Sequence, residues 1–202
     1  MRSGVKLDLM KKLSAYLFLI LFSFSAPSFA DDIRDFQIEG MSIGDSLLDY
    51  FTKEEIKKNK QDYFNDNEFS ITEIQSEKFK VYDIVQALYK TKDRDFKIYA
   101  LTGALKCKNN FMICKNYWDK IVAELSELFK NNAKIEEVGT EKHSADSSGK
   151  SKITSIYFNF DSGDYAYIEM MDWSKAMKYI DQLSVGFRTN EFGIWLSNKA
   201  YK

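Results

Sequence analysis

Between Phe96 and Leu105 the chain reads Phe-Lys-Ile-Tyr-Ala-Leu-Thr-Gly-Ala-Leu, a short proline-free run of aromatic, β-branched and small residues. Such a run predicts a strand buried on both faces, hence one near the middle of a sheet. After a polar break at Lys108-Asn109-Asn110, either asparagine can cap a helix. Apolar residues then recur at Cys114, Trp118, Ile121, Val122, Leu125, Leu128 and Phe129. Spacings of three and four place them on one face of a long helix lying across the sheet. Upstream, Phe79 to Tyr89 alternates as a strand does, and Thr91 to Asp95 is a polar turn, which completes a hairpin with the central strand. Downstream, Ile153 to Phe160 and Tyr165 to Trp173 flank Asp161-Ser-Gly-Asp164 as a second hairpin, with tyrosines and phenylalanines disposed for cross-strand pairing.

The remaining elements are shorter. Ile38 to Phe51 carries Gly40 and Gly44 for tight turns, Ser42 as a cap, and Leu47, Leu48 and Phe51 as the apolar face of a short helix. Thr52 and Glu55 form a capping box ahead of Ile56. Asp172 or Ser174 is expected to cap a short helix with Met177 and Ile180, Leu183 to Phe187 reads as a last strand, and Asn190 caps a terminal helix with Phe192, Trp195 and Leu196 inward. From Asn59 to Ser76 no period holds for long, and 139–152 is polar and serine-rich, as a mobile surface loop would be. The sum is an α+β class: a mostly antiparallel sheet of about five strands, one long helix packed across it, and helices chiefly on one face.

The first 30 residues change the picture. Lys6, Lys11 and Lys12 precede an apolar run from Leu13 to Phe24, and Ser28-Phe29-Ala30 offers small residues at the two positions that signal peptidase reads. Residues 1–30 are therefore expected to be a signal peptide, with 31–202 a single α+β domain that is periplasmic or secreted. The apolar run falls short of the roughly 18 residues that span a bilayer, so no membrane span is expected after cleavage. The whole chain carries −1, and Arg2, Lys6, Lys11 and Lys12 against Asp8 leave a mildly acidic −4 on residues 31–202. That charge gives no electrostatic reason to expect nucleic acid. Export also bears on Cys107 and Cys114, the only two cysteines. They sit at the end of the central strand and in the first turn of the long helix, where a disulfide would fix the angle between the two.

Candidate chemistry is sparse. His143 as base, Asp146 as its orienting partner and Ser147 or Ser148 as nucleophile would make a small exported hydrolase. All of them lie on one polar loop, whereas such groups usually come from separate rigid elements. Ser147-Ser-Gly-Lys-Ser151 resembles the end of a nucleotide-binding loop, but the required first glycine falls at Ser144. Neither a catalytic residue, nor a cofactor site, nor a metal site is assigned. The reading preferred is an exported binding or structural module of the cell envelope, with an envelope protein, a peptide or a glycan as partner at the aromatic-rich hairpins.

Gly40-Met-Ser42 followed by a short amphipathic helix resembles the opening of the small lipoprotein of the outer-membrane assembly machinery. Ile38-Glu-Gly-Met-Ser-Ile-Gly-Asp-Ser-Leu-Leu48, the cysteine pair, Met171-Asp-Trp-Ser174 and the closing Trp195 to Tyr201 resemble a set of small exported proteins from marine bacteria. The latter resemblance implies export and a shared fold, and it brings no catalytic residue to this chain.

Overall fold

The computed structural model describes residues 32–107 and 111–202. The expected signal peptide, residues 1–30, and the expected cap at Asn109 or Asn110 lie outside the described residues. Eight strands are described: β1 (Lys60–Gln61), β2 (Phe69–Ile74), β3 (Ile84–Lys90), β4 (Ile98–Lys106), β5 (Ala133–Lys142), β6 (Lys152–Phe160), β7 (Tyr165–Asp172) and β8 (Gln182–Arg188). They form one antiparallel sheet in the order β1-β2-β3-β4-β8-β7-β6-β5. Two four-stranded meanders are thus joined by their last strands, with Ala100 opposite Arg188 and Lys106 opposite Gln182. The described α-helices are α1 (Lys53–Lys58), α2 (Phe111–Phe129) and α3 (Asn190–Asn198).

This corrects the expected five strands with a helix packed across them. The fold is dominated by its sheet, and the long helix meets it at β7 and β8. Two of the strands missing from the expectation had no readable period, for opposite reasons. In β2 Ser70 and Thr72 are as buried as the apolar residues: Ser70 bonds Thr91 at 2.8 Å and Thr72 Oγ1 donates to the Ile56 carbonyl at 3.1 Å. β5 is exposed along almost its whole length and is held by its backbone ladder to β6. The expected mobile loop at 139–152 is therefore the end of β5, a tight connection at 143–151 and the start of β6.

Strand alternation divides the sheet into two faces. One receives Leu101, Leu105, Leu183, Val185, Phe187, Ile168, Met170 and Phe158 in a core closed by the chain from Ile33 to Ile56 and by Cys114, Ile121, Leu125 and Phe129 of α2. The other receives Phe69, Ile71, Leu88 and Ala100 under Phe192 and Trp195 of α3. Helices therefore cover both faces, not chiefly one. Trp118, on the expected core stripe, is only partly buried, whereas Phe129 is fully buried.

Other expectations are refined locally. Cys107 and Cys114 form the disulfide, with Cα atoms 5.5 Å apart, and tie the end of β4 to α2. A bridge over so short a loop contributes about 2–3 kcal/mol on the chain-entropy view. Thr52 and Glu55 make the reciprocal capping box of α1. Thr189, not Asn190, caps α3. The short helix expected after Asp172 is replaced by turns, since Lys178 takes a left-handed φ of 57° that no α-helix accommodates. The N-terminal helix shrinks to a 3-10 turn at Leu47–Asp49 capped by Ser46.

Candidate functional site

The N-terminal segment builds a groove in place of the expected helix. Ile38 and Met41 exchange backbone hydrogen bonds at 2.9 and 3.1 Å around Glu39 and Gly40, both with positive φ (52° and 85°). Two left-handed residues in a two-residue turn match the twist of the flanking chain, but a glutamate there carries strain of order 1–3 kcal/mol. The carboxylate of Glu39 offsets it by accepting the backbone N–H groups of Lys80, Val81 and Tyr82 at 2.7, 2.7 and 2.9 Å. Charge-assisted bonds of this kind are about twice as strong as neutral ones, so the connection between β2 and β3 is clasped to the N-terminal turn.

Between the two runs a groove of about 1050 Å³, walled by Gly40, Leu48, Tyr50, Phe51, Phe79 and Val81. Leu48 and Tyr50 stay about two-fifths exposed, while Phe51 and Phe79 meet edge to face at 6.5 Å. Tyr50 Oη donates to Asp45 at 2.6 Å, and burial together with that carboxylate pushes the phenol pKa up, so the hydroxyl stays protonated at any physiological pH. Lys78, Lys80 and Asp49 also line the groove, so it is amphipathic.

The sequence-predicted trio is brought onto one connection but not into one chain of hydrogen bonds. Asp146 is buried and accepts from Ser151 N at 2.9 Å, Ser151 Oγ at 2.6 Å, Ser148 N at 2.9 Å and Ser174 Oγ at 2.8 Å. The Ser151 hydroxyl first, and Ser148 and Ser174 after it, hold the Asp146 carboxyl well below the usual carboxylate range. His143 Nδ1 accepts from Ala145 N at 3.2 Å, and its ring packs at a tilt against Trp173 with centroids 4.4 Å apart. Ser147 is exposed at the tip. Asp146 thus knits the β5–β6 connection to the chain after β7. The Asp-x-Ser-x-x-Ser spacing, suited to a side chain that bonds backbone two residues on, was the signal for this.

A depressed Asp146 pKa means stability that is fully present above the ordinary carboxyl value of about 3.9 and is lost as pH falls through the folded value. Asp146→Ala should therefore lower the thermal midpoint at pH 7, with the gap to the unaltered protein narrowing toward pH 2. His143→Ala should cost about 1 kcal/mol or less, the scale of one aromatic contact. Thermal unfolding across that pH range decides the matter, and a gap that stays constant with pH would contradict the role given to Asp146.

The second face, over β6, β7 and β8, carries Tyr157, Tyr165, Tyr167, Glu169 and Arg188. A Cβ at Gly186 would lie 2.5 Å from the ring of Tyr167, so glycine is what lets that ring lie flat against β8 and reach Thr102 Oγ1 at 2.6 Å. The tyrosine centroids are 6.0 to 6.3 Å apart, and the Arg188 guanidinium stands 4.1 Å from that of Tyr167. Sequence reading found the aromatic hairpins but not Arg188. Among the described residues no group of His, Cys, Asp and Glu is gathered so as to hold a metal ion, and no described helix is long and apolar enough to cross a membrane.

No family model matches the chain. No curated protein matches it either. Among solved structures a mutant of the protein Mog1 is similar at 13% identity over 71% of this chain and 85% of that one, with a TM-score of 0.28. A likeness at that score carries neither fold nor function to this chain.

Proposed function

We propose that the protein is an exported binding module of the cell envelope, and that the groove between the N-terminal turn and the β2–β3 connection holds its partner, a peptide or a glycan. The observation that carries this reading is the groove itself: about 1050 Å³ of open volume whose two walls are locked together by the Glu39 clasp. A pre-formed concavity with exposed Leu48 and Tyr50 at its mouth offers apolar area at little ordering cost on binding. The leader-like first 30 residues and the disulfide support an oxidising compartment. Sheet edges are poorer docking places. β1 has two residues, and β5 carries Lys134, Glu136, Glu137, Glu141 and Lys142 with a bulge between Glu137 and Gly139, features that discourage strand addition.

The test is a photo-reactive phenylalanine analogue placed at Tyr50, or at Ile194 on the exposed side of α3, in protein made by the native cell. Irradiation should give a discrete adduct in the envelope fraction from position 50 and none from position 194, on a chain beginning at Asp31. Equal labelling from both positions, no adduct at position 50, or a cytoplasmic chain beginning at Met1 would each overturn the reading.

A further inference from the structure

Arg188 lies on the sheet face away from the N-terminal groove and makes no ion pair among the described residues. Its Nη1 donates to Tyr165 Oη at 3.2 Å, and its guanidinium rests 4.1 Å from the ring centroid of Tyr167 and 5.7 Å from that of Tyr165. Burial opposes the charge, but the phenols of Tyr167 and Tyr165 and the carboxylate of Glu169 outweigh it and hold the guanidinium protonated. An arginine has five N–H donors, and that hydrogen bond uses one. Among the described residues no solvent-shielded side-chain nitrogen or oxygen lacks a partner, so Nε and Nη2 of this half-buried side chain keep some contact with water.

The same reasoning applies to Glu169. Its Oε1 accepts from Tyr157 Oη at 3.0 Å, and the second oxygen, with no protein donor, keeps some contact with water although the residue is only 9% exposed. Tyr165 Oη accepts from Arg188 and keeps its own proton to donate. Arg188 lies across the ring of Tyr167, and Glu169 bonds Tyr157, which pairs with Tyr167 in the ladder. One sheet face therefore brings together a forked cation and a phenol donor with, deeper in, a carboxylate acceptor, the rings of Tyr157 and Tyr165 being half-buried and that of Tyr167 covered.

We propose that this patch is a binding site for a sugar acid, a uronate residue of an acidic glycan. The uronate carboxylate takes the open N–H groups of Arg188 and the Tyr165 hydroxyl, which match a planar two-oxygen acceptor. Ring hydroxyls donate to the second oxygen of Glu169, and the C–H face of the sugar lies against the half-buried rings of Tyr157 and Tyr165. A peptide carboxylate would satisfy the arginine but brings a single amide N–H next to it, where a uronate ring carries several hydroxyl donors for Glu169. The site stands apart from the N-terminal groove, so its fate and that of the groove are separable.

Titration calorimetry on the purified full protein tests this, with tetragalacturonate, the neutral galactose tetramer and a short peptide bearing a free carboxylate as probes. Tetragalacturonate should bind at least about tenfold more tightly than either of the others. Arg188→Lys, which keeps the charge and removes the fork, should weaken it by about tenfold, and Glu169→Gln by a smaller factor. Tyr165→Phe, which removes only a hydroxyl at a partly buried position, gives an independent reading should Arg188→Lys fold poorly, and should also weaken binding. Met112→Ala, on the exposed side of α2, should leave the affinity unchanged. Undetectable uronate binding, equal binding of the neutral tetramer, tighter binding of the peptide, or full affinity in both folded Arg188→Lys and Tyr165→Phe proteins would overturn the assignment.

Discussion

Phe129→Ala should lower the unfolding free energy by about 3–5 kcal/mol, the range for emptying a large aromatic from a well-packed interior. Phe129 closes α2 and is fully buried. Its ring meets Phe36 at 5.0 Å, Phe160 at 5.1 Å and Phe158 at 5.3 Å, so one side chain joins the helix, the N-terminal segment and β6. The cavity would be lined by rings anchored on two separate elements, the N-terminal segment and β6, which resists collapse. Trp118→Ala, on the same helix but partly buried, should cost clearly less, and Met112→Ala, 57% exposed, should stay within about 0.5 kcal/mol. Denaturant unfolding of the three variants ranks them, and a Trp118 variant as unstable as the Phe129 one would show that α2 is docked by a different stripe.

Trp195→Ala should cost a similar 3–5 kcal/mol, although it lies on the opposite face of the sheet. Trp195 is 2% exposed, packs within 4.9 Å of Phe64 and 5.0 Å of Phe69, and donates Nε1–H to Asp66 at 2.7 Å. Its loss would open the smaller core and release the chain near Asp66. Ile194→Ala, one residue away and 57% exposed, should stay within about 0.5 kcal/mol. Equilibrium unfolding again gives the comparison, and a near-neutral Trp195 variant would mean that α3 is not held on the sheet.

How much of this was legible in the sequence follows from which residues face a core. The hairpins β3–β4 and β6–β7, the strand β8 and helix α2 each bury one class of residue against one class of neighbour, so their periods could be read. β2 hid itself because Ser70 and Thr72 are buried by hydrogen bonding, where polar residues ordinarily signal solvent. β5 hid itself because an edge strand with both faces wet needs no apolar residue at all. The groove was illegible for a conformational reason. Glu39 occupies a left-handed position usually reserved for glycine or asparagine, and it is held there by backbone N–H groups some forty residues away. The tyrosine patch was half legible: alternation separates Tyr157 from Phe158 and Tyr165 from Ala166, but only the fold sets Arg188 beside them.

Both surfaces depend on the joining of the two meanders through β4 and β8, since the N-terminal segment is hydrogen-bonded to the start of β4 and Arg188 ends β8. Inter-strand backbone nuclear Overhauser effects on the isotope-labelled protein test that joint most directly. Contacts should run in register from Ala100–Arg188 through Gly103–Val185 to Lys106–Gln182, and the amides of β4 and β8 should exchange more slowly than those of the edge strand β5. Absence of that series, or β4 amides exchanging as fast as those of β5, would contradict a single eight-stranded sheet.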